Sequence, residues 1–242
     1  NLPISSIDET ALVRGVLDRA LLSAGEVSVS YLPNQQIGFI PTGPDAGRKG
    51  RFTGLLSISG MVTNLDPYPA DVTVTAIFRD AQGNRIAQVN AMDMMIHQLL
   101  PGETTPFRVD LLGAEATQIL NLDSVSAIEL NVKGVPTAYN LERPLVIIRP
   151  GVLYNASTIT VDIPRILHTY LDGNGHLTWV SGMYLEQSLN PDQSETYKVP
   201  DVPLLLEPLD IPVTISGPRL QPWTPPADVG AGPITVVYGF SR

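Results

Sequence analysis

Along most of this chain apolar and polar residues alternate with a period of two, the signature of strands with one face in a core. Val72, Val74, Ala76 and Phe78 alternate with polar neighbours and close on Asp80-Ala81-Gln82-Gly83. Ile159, Val161 and Ile163, then Tyr170, lead in the same way to Asp172-Gly173-Asn174-Gly175. The order of elements recurs too. Gly60-Met61-Val62-Thr63-Asn64 returns as Gly151-Val152-Leu153-Tyr154-Asn155, and Leu100-Pro101-Gly102-Glu103 through Phe107 returns as Leu189-Asn190-Pro191-Asp192-Gln193 through Tyr197. The proline-to-aromatic spacing is the same in both copies. Each copy closes on an alternating strand, Ile128, Leu130, Val132, Gly134 in the first and Ile211, Val213, Ile215, Gly217 in the second. The pattern predicts an all-β protein of two tandem β-sandwich units.

Only the start of the chain departs from this period. Leu12, Val13, Val16, Leu17, Ala20 and Leu21 recur at three- and four-residue spacing, which predicts a short N-terminal helix capped by Ser6 and stopped at Gly25. Val27, Val29 and Tyr31, with Ile37 and Phe39 after Pro33-Asn34, predict a hairpin. The expected segments are an N-terminal helix and hairpin over 1–50, one sandwich over 51–141, a second over 142–217, and a C-terminal extended arm over 218–242. Within repeat one, strands are expected over 52–63, 71–79, 85–96, 105–111 and 125–132, with a short helix inside 113–122. In the arm, Pro218, Pro222, Pro225, Pro226 and Pro233 predict a polyproline-like spacer. Beyond it Ile234, Val236, Tyr238 and Phe240 predict an extra strand, expected to add to a sheet edge of the first sandwich or of a neighbouring subunit.

Composition narrows the partners. Pro (22) and Gly (20) are abundant while charged residues are only 16%, as suits a turn-rich β protein. The net charge of −9 opposes docking on nucleic acid or on anionic lipid. There is no cysteine, hence no disulfide framework and no thiolate nucleophile or metal ligand. Apolar runs are broken by charge or proline, so no membrane-spanning segment is expected. The first residue is Asn1 rather than Met, and the chain is expected to follow a processed segment.

Asn64, the run Val72–Gly83, Leu100-Pro101-Gly102-Glu103 and Phe107 together resemble the FxLYD-type domains. Those are immunoglobulin-like sandwiches common in exported and lipid-anchored bacterial and archaeal proteins. The resemblance covers about 60 residues of repeat one and more loosely repeat two, where Asp192 stands in place of the turn glycine. It implies two tandem immunoglobulin-like β-sandwiches, location in the cell envelope or outside the cell, and a non-catalytic accessory or structural role.

The chemistry-bearing residues are few. His97, His168 and His176 lack a helical zinc motif, although His168 and His176 flank one hairpin. Asp172-Gly173-Asn174-Gly175-His176 begins like a calcium loop but has Met183 where the closing glutamate belongs, so it reads as a hairpin turn. No nucleophile elbow is present. The loop Lys49-Gly50 lacks the phosphate-binding pattern. Asn155-Ala156-Ser157 is a glycosylation sequon at a turn that mirrors Asn64. Trp179, Tyr184 and Trp223 are large aromatics without an evident core partner. The reading is a protein without catalytic, metal or cofactor residues, acting as a structural or adaptor subunit whose partner is another protein or a further copy of itself. Interaction is expected at Trp179, Trp223, Ile234, Val236, Tyr238 and Phe240. The alternatives are a carbohydrate-binding module that uses the aromatics and, after it, a hydrolase.

Overall fold

A computed structural model describes residues 19–33, 54–91, 94–96, 98–112, 124–137, 146–149, 151–198, 206–224 and 235–240. Sixteen strands carry these residues. The N-terminal segment supplies β1 (Leu22–Pro33), and repeat one supplies β2 (Gly54–Asn64), β3 (Ala70–Arg79), β4 (Arg85–Asn90), β5 (Gln98–Leu99), β6 (Thr104–Leu112) and β7 (Ala127–Pro136). Repeat two supplies β8 (Val146–Arg149), β9 (Val152–Asn155), β10 (Asp162–Leu171), β11 (Leu177–Tyr184) and β12 (Ser194–Thr196). The remainder are β13 (Glu207–Pro208), β14 (Val213–Ser216), β15 (Leu220–Pro222) and β16 (Thr235–Phe240).

Two five-stranded sheets form the first sandwich. One runs β13-β1-β2-β6 with β15 beside β1, and the other runs β14-β7-β3-β4 with β5 beside β3. Period-two alternation drives them together. Val72, Val74, Ala76 and Phe78 face Leu56, Ile58, Val62, Phe107 and Val109 across one core, all at 1% exposure or less. Burying side chains of this size contributes about 1.5–3 kcal/mol each. Gly60 admits the Phe107 ring, since a Cβ there would lie 2.6 Å from Cζ.

The second unit is smaller. A sheet β12-β9-β8 faces a sheet β11-β10-β16 across Leu153, Val161, Ile166, Leu189 and Tyr197. β11 also lies against the first sandwich. Trp179 packs with Leu32 and Leu55, Leu177 and Val180 pack with Met61, and Leu167 of β10 belongs to the first core. The sheet β11-β10-β16 is therefore a wall shared by two cores, which is why β10 is buried continuously from Pro164 to Tyr170's neighbour Thr169.

Four segments differ from expectation, the simplest being the strand expected over 85–96, which ends at Asn90. Leu22 to Gly25 belong to β1, paired with Asn64 to Met61, instead of ending a helix. Leu22 and Ala24 alternate onto the core, and this strand pairing overrides the helical spacing. The expected helix over residues 6–18, the short helix inside 113–122, and the return strand at Ile37 and Phe39 lie outside the described residues.

The strand expected to close repeat two goes elsewhere. Val213 to Ser216 run parallel to Ile128 to Asn131, so β14 extends the first sandwich. Leu209, Ile211, Val213 and Ile215 pack on the first core, with Leu209 N–H donating to Val29 and Ile128 N–H donating to Pro212. The start of the expected spacer is likewise fixed: Leu220, Gln221 and Pro222 lie parallel to Leu22, Ser23 and Ala24. Asp66 anchors this return, accepting from the Leu21 N–H at 3.0 Å and from Arg219 at 3.2 Å.

The place thus vacated in repeat two is taken by β16, which pairs antiparallel with β10, Val237 opposite Ile166. In repeat one β7 pairs antiparallel with β3, Val132 opposite Val74. The order β11-β10-β16 repeats the order β4-β3-β7.

Candidate interaction site

The recurring turns explain the repeated motifs. Asn64 is fully buried, and its amide donates to the carbonyls of Tyr68 and Leu99 while its oxygen accepts from the Asp66 N–H. Asn155 is equally buried and donates to Ile159 and Leu189 while accepting from the Ser157 N–H. Glu103 takes the Leu100 N–H at 2.9 Å, and Gln193 takes the Asn190 N–H at 3.0 Å. The intervening Gly102 and Asp192 have φ of 75° and 59°. A left-handed turn suits glycine, and aspartate is among the side chains that tolerate it. The sequon at Asn155 is thus a buried turn clip. The nitrogen a glycan would occupy already holds two carbonyls.

The hairpin turns match in the same way. The Asp80 carboxylate caps the N–H groups of Gln82 and Asn84, and Asp172 caps those of Asn174 and His176. The Asn84 side chain above all holds the Asp80 carboxyl below the usual carboxylate range. For Asp172 the largest cause is the His176 N–H. In the turn, His176 Nδ1 lies 3.3 Å from Asp172.

His168 sits apart from His176, inside β10. It is 6% exposed, opposite Ser181, with its ring 4.6 Å edge-on from Tyr170. Burial pushes its imidazole below the ordinary value. His97 lies outside the described residues. Among the described residues no three His, Asp or Glu side chains gather as a metal site. Tyr154 donates to Asp192 at 2.8 Å, and this bond to a carboxylate raises the phenol's pKa.

Trp179, for which the sequence shows no evident core partner, is 5% exposed and packed between the two units. It packs with Leu32 of β1 and Leu55 of β2, so it forms no sugar platform. Its indole N–H donates to Ser181, and the Arg108 guanidinium lies over its ring. Arg108 also grips Asp110 through two nitrogens and donates to the Val180 carbonyl, joining β6 to β11. Asp110 in turn accepts from Ser57 at 2.9 Å. Periodicity places Arg108 on the outer face of β6, between the inward Phe107 and Val109, and an outward arginine ordinarily signals solvent. Its role as an inter-unit clamp follows from long-range packing that periodicity does not encode.

Trp223 is half-buried against Met61 and Leu177, with Nε1 donating to Thr63 and its backbone N–H to Ala24. Val236, Tyr238 and Phe240 stand opposite Leu167, Arg165 and Asp162 in the backbone register of β16 on β10, within the second unit and not on the first sandwich. Ile234 lies outside the described residues. Tyr184 is 46% exposed, with Arg165 5.3 Å over its ring.

Among the described residues no helix is long and apolar enough to cross a membrane. No family model and no curated protein matches the chain. Among solved structures, one from work on the chaperone–tip adhesin complex of CFA/I fimbriae aligns with 63% of this chain and 86% of its own. Its identity is 10% and its TM-score 0.18. Red sea bream transglutaminase aligns with 90% of this chain at 8% identity and TM-score 0.23, and the alignment spans 27% of that enzyme. At these TM-scores neither similarity bears on function.

Proposed function

We propose that this protein is a non-catalytic structural or adaptor subunit of a cell-envelope or extracellular assembly, built from two divergent immunoglobulin-like sandwiches of the FxLYD type. The recurring Asn64/Asn155 and Asp80/Asp172 turns support the relation between the units. The observation that carries the adaptor reading is β4. It ends the path β14-β7-β3-β4 with a ladder partner on one side only among the described residues, and Arg85, Gln88 and Asn90 along it are exposed. Such an edge offers its backbone donors and acceptors to an added strand. The polar, partly charged side chains on β4 select a matched partner and discourage indiscriminate pairing.

A photo-crosslinking side chain at Gln88, introduced in the native source, tests this reading. A single protein species captured through β4, with the chain located in the envelope or outside the cell, is the expected result. Turnover of a substrate panel, or retention on glycans with no protein captured, overturns it.

A further inference from the structure

We propose that β16 is an exchangeable strand and that its second acceptor is the β10 edge of another copy of this chain. This deepens the assembly reading above and rests on it.

Repeat one obtains its matching strand locally, with β7 following β6 in the same unit. Repeat two obtains β16 only after the chain has visited the first sandwich through β13, β14 and β15. The last described anchor of that visit is Trp223, bonded to Ala24 and Thr63. Between Trp223 and β16 the sequence holds Pro225, Pro226, Gly230, Gly232 and Pro233, a stretch that reaches at most about 40 Å.

The arm is also held by less than its counterpart. Five residue pairs register β16 on β10, whereas ten register β7 on β3. Releasing β16 leaves the first sandwich with its full set of strands, because β14 and β15 stay on it. What is uncovered is the β10 edge from Asp162 to His168, and every copy presents that edge identically. Swapping an identical element between copies recreates the same ladder at little net cost, so concentration and the arm's reach decide the outcome. Two copies exchanging arms make a closed dimer, and one-way exchange makes a chain of subunits.

The cysteine-free chain permits a direct test. Asp162 and Phe240 stand opposite each other, within the Cα separation a disulfide spans. Differently tagged Asp162→Cys and Phe240→Cys chains are unfolded together, refolded over a range of concentrations and mildly oxidised. The expected product is a mixed covalent dimer whose linked peptides contain positions 162 and 240. Its yield rises with concentration and is lost when Val237→Pro is added to the second chain. In parallel, light scattering of the unmodified chain refolded at high concentration is expected to show a dimer or larger species that disappears on deletion of residues 235–242. A chain that stays monomeric at every concentration, or an oligomer that survives the deletion, overturns the proposal. A monomeric chain that still captures a protein through Gln88 separates this failure from failure of the adaptor reading, which then stands alone.

Discussion

The guanidinium carbon of Arg108 lies 4.0 Å from the centroid of the Trp179 ring. Arg108 comes from the first sandwich and Trp179 from the second unit, so this cation–π contact crosses the boundary between repeats. Both side chains are nearly excluded from solvent, Arg108 at 8% and Trp179 at 5%. Desolvation places such a contact at the stronger end of its range, about 2 kcal/mol. Trp179→Ala is expected to cost about 3–5 kcal/mol. Arg108→Ala also removes a donor from the Val180 carbonyl and leaves the Asp110 carboxylate with the Ser57 hydroxyl in place of its ion pair. Urea unfolding of both single variants and the double variant checks this: the double variant loses less than the two single losses combined.

Replacement of the turn clips gives parallel effects in the two repeats. Asn64→Ala and Asn155→Ala each leave two carbonyls and one N–H without their amide partner. Each is expected to lose at least about 1–3 kcal/mol, the cost of one unsatisfied buried polar group. Equal changes in denaturation midpoint are the outcome to look for. A loss confined to one variant shows that the two clips differ in weight despite their matching geometry.

Those clips were legible in the sequence because they are local. Asn64 and Asn155, Asp80 and Asp172 act on backbone two to four residues away, and the repeat announced the turns they hold; the further bonds of Asn64 to Leu99 and of Asn155 to Leu189 close on the matching second turn of each repeat. The destination of a strand is a different matter. Ile211, Val213 and Ile215 alternate as a strand should, but alternation does not say which edge receives it, and β14 joined the first sandwich. The signal for the true closing strand was present: Val132-Lys133-Gly134 has its counterpart in Val237-Tyr238-Gly239. Trp179 was legible as a large aromatic in need of packing, but its partners were not, and Arg108 was not legible at all. Their burial depends on one unit covering the outer face of the other.

The donated strand has a sensitive point at its end. A Cβ at Gly217 would collide with the Val132 carbonyl. Gly217→Ala is therefore expected to push β14 off β7, at a cost of about 1–3 kcal/mol. Faster hydrogen exchange at Ile128, whose N–H donates to Pro212, reports the displacement.

His168 gives the protein an acid sensitivity above the carboxylate range. Its folded pKa is lowered by burial from an ordinary 6.5. Below that value the unfolded chain binds a proton that the folded chain resists. Stability is then complete above about pH 6.5 and falls as the pH drops through the unfolded pKa toward the folded one. Chemical unfolding at pH 7.5 and 5.5 is expected to show this decline in the parent chain. His168→Gln is expected to flatten it.

The insertion of β14 beside β7 also sets a timetable for biosynthesis. The chain emerges from the ribosome N-terminus first, and about 80 residues separate the end of β7 from the start of β14. At ~5–20 residues per second the first sandwich waits roughly 4–16 s for its outer strand. The second unit waits longer still, because β16 follows β14 and β15 along the chain. A nascent or prematurely released chain therefore carries two incomplete sheets at once, each with an open edge. Emergence of β14 and then of β16 closes both, so a fragment released before residue 240 keeps at least one edge open to proteases and chaperones.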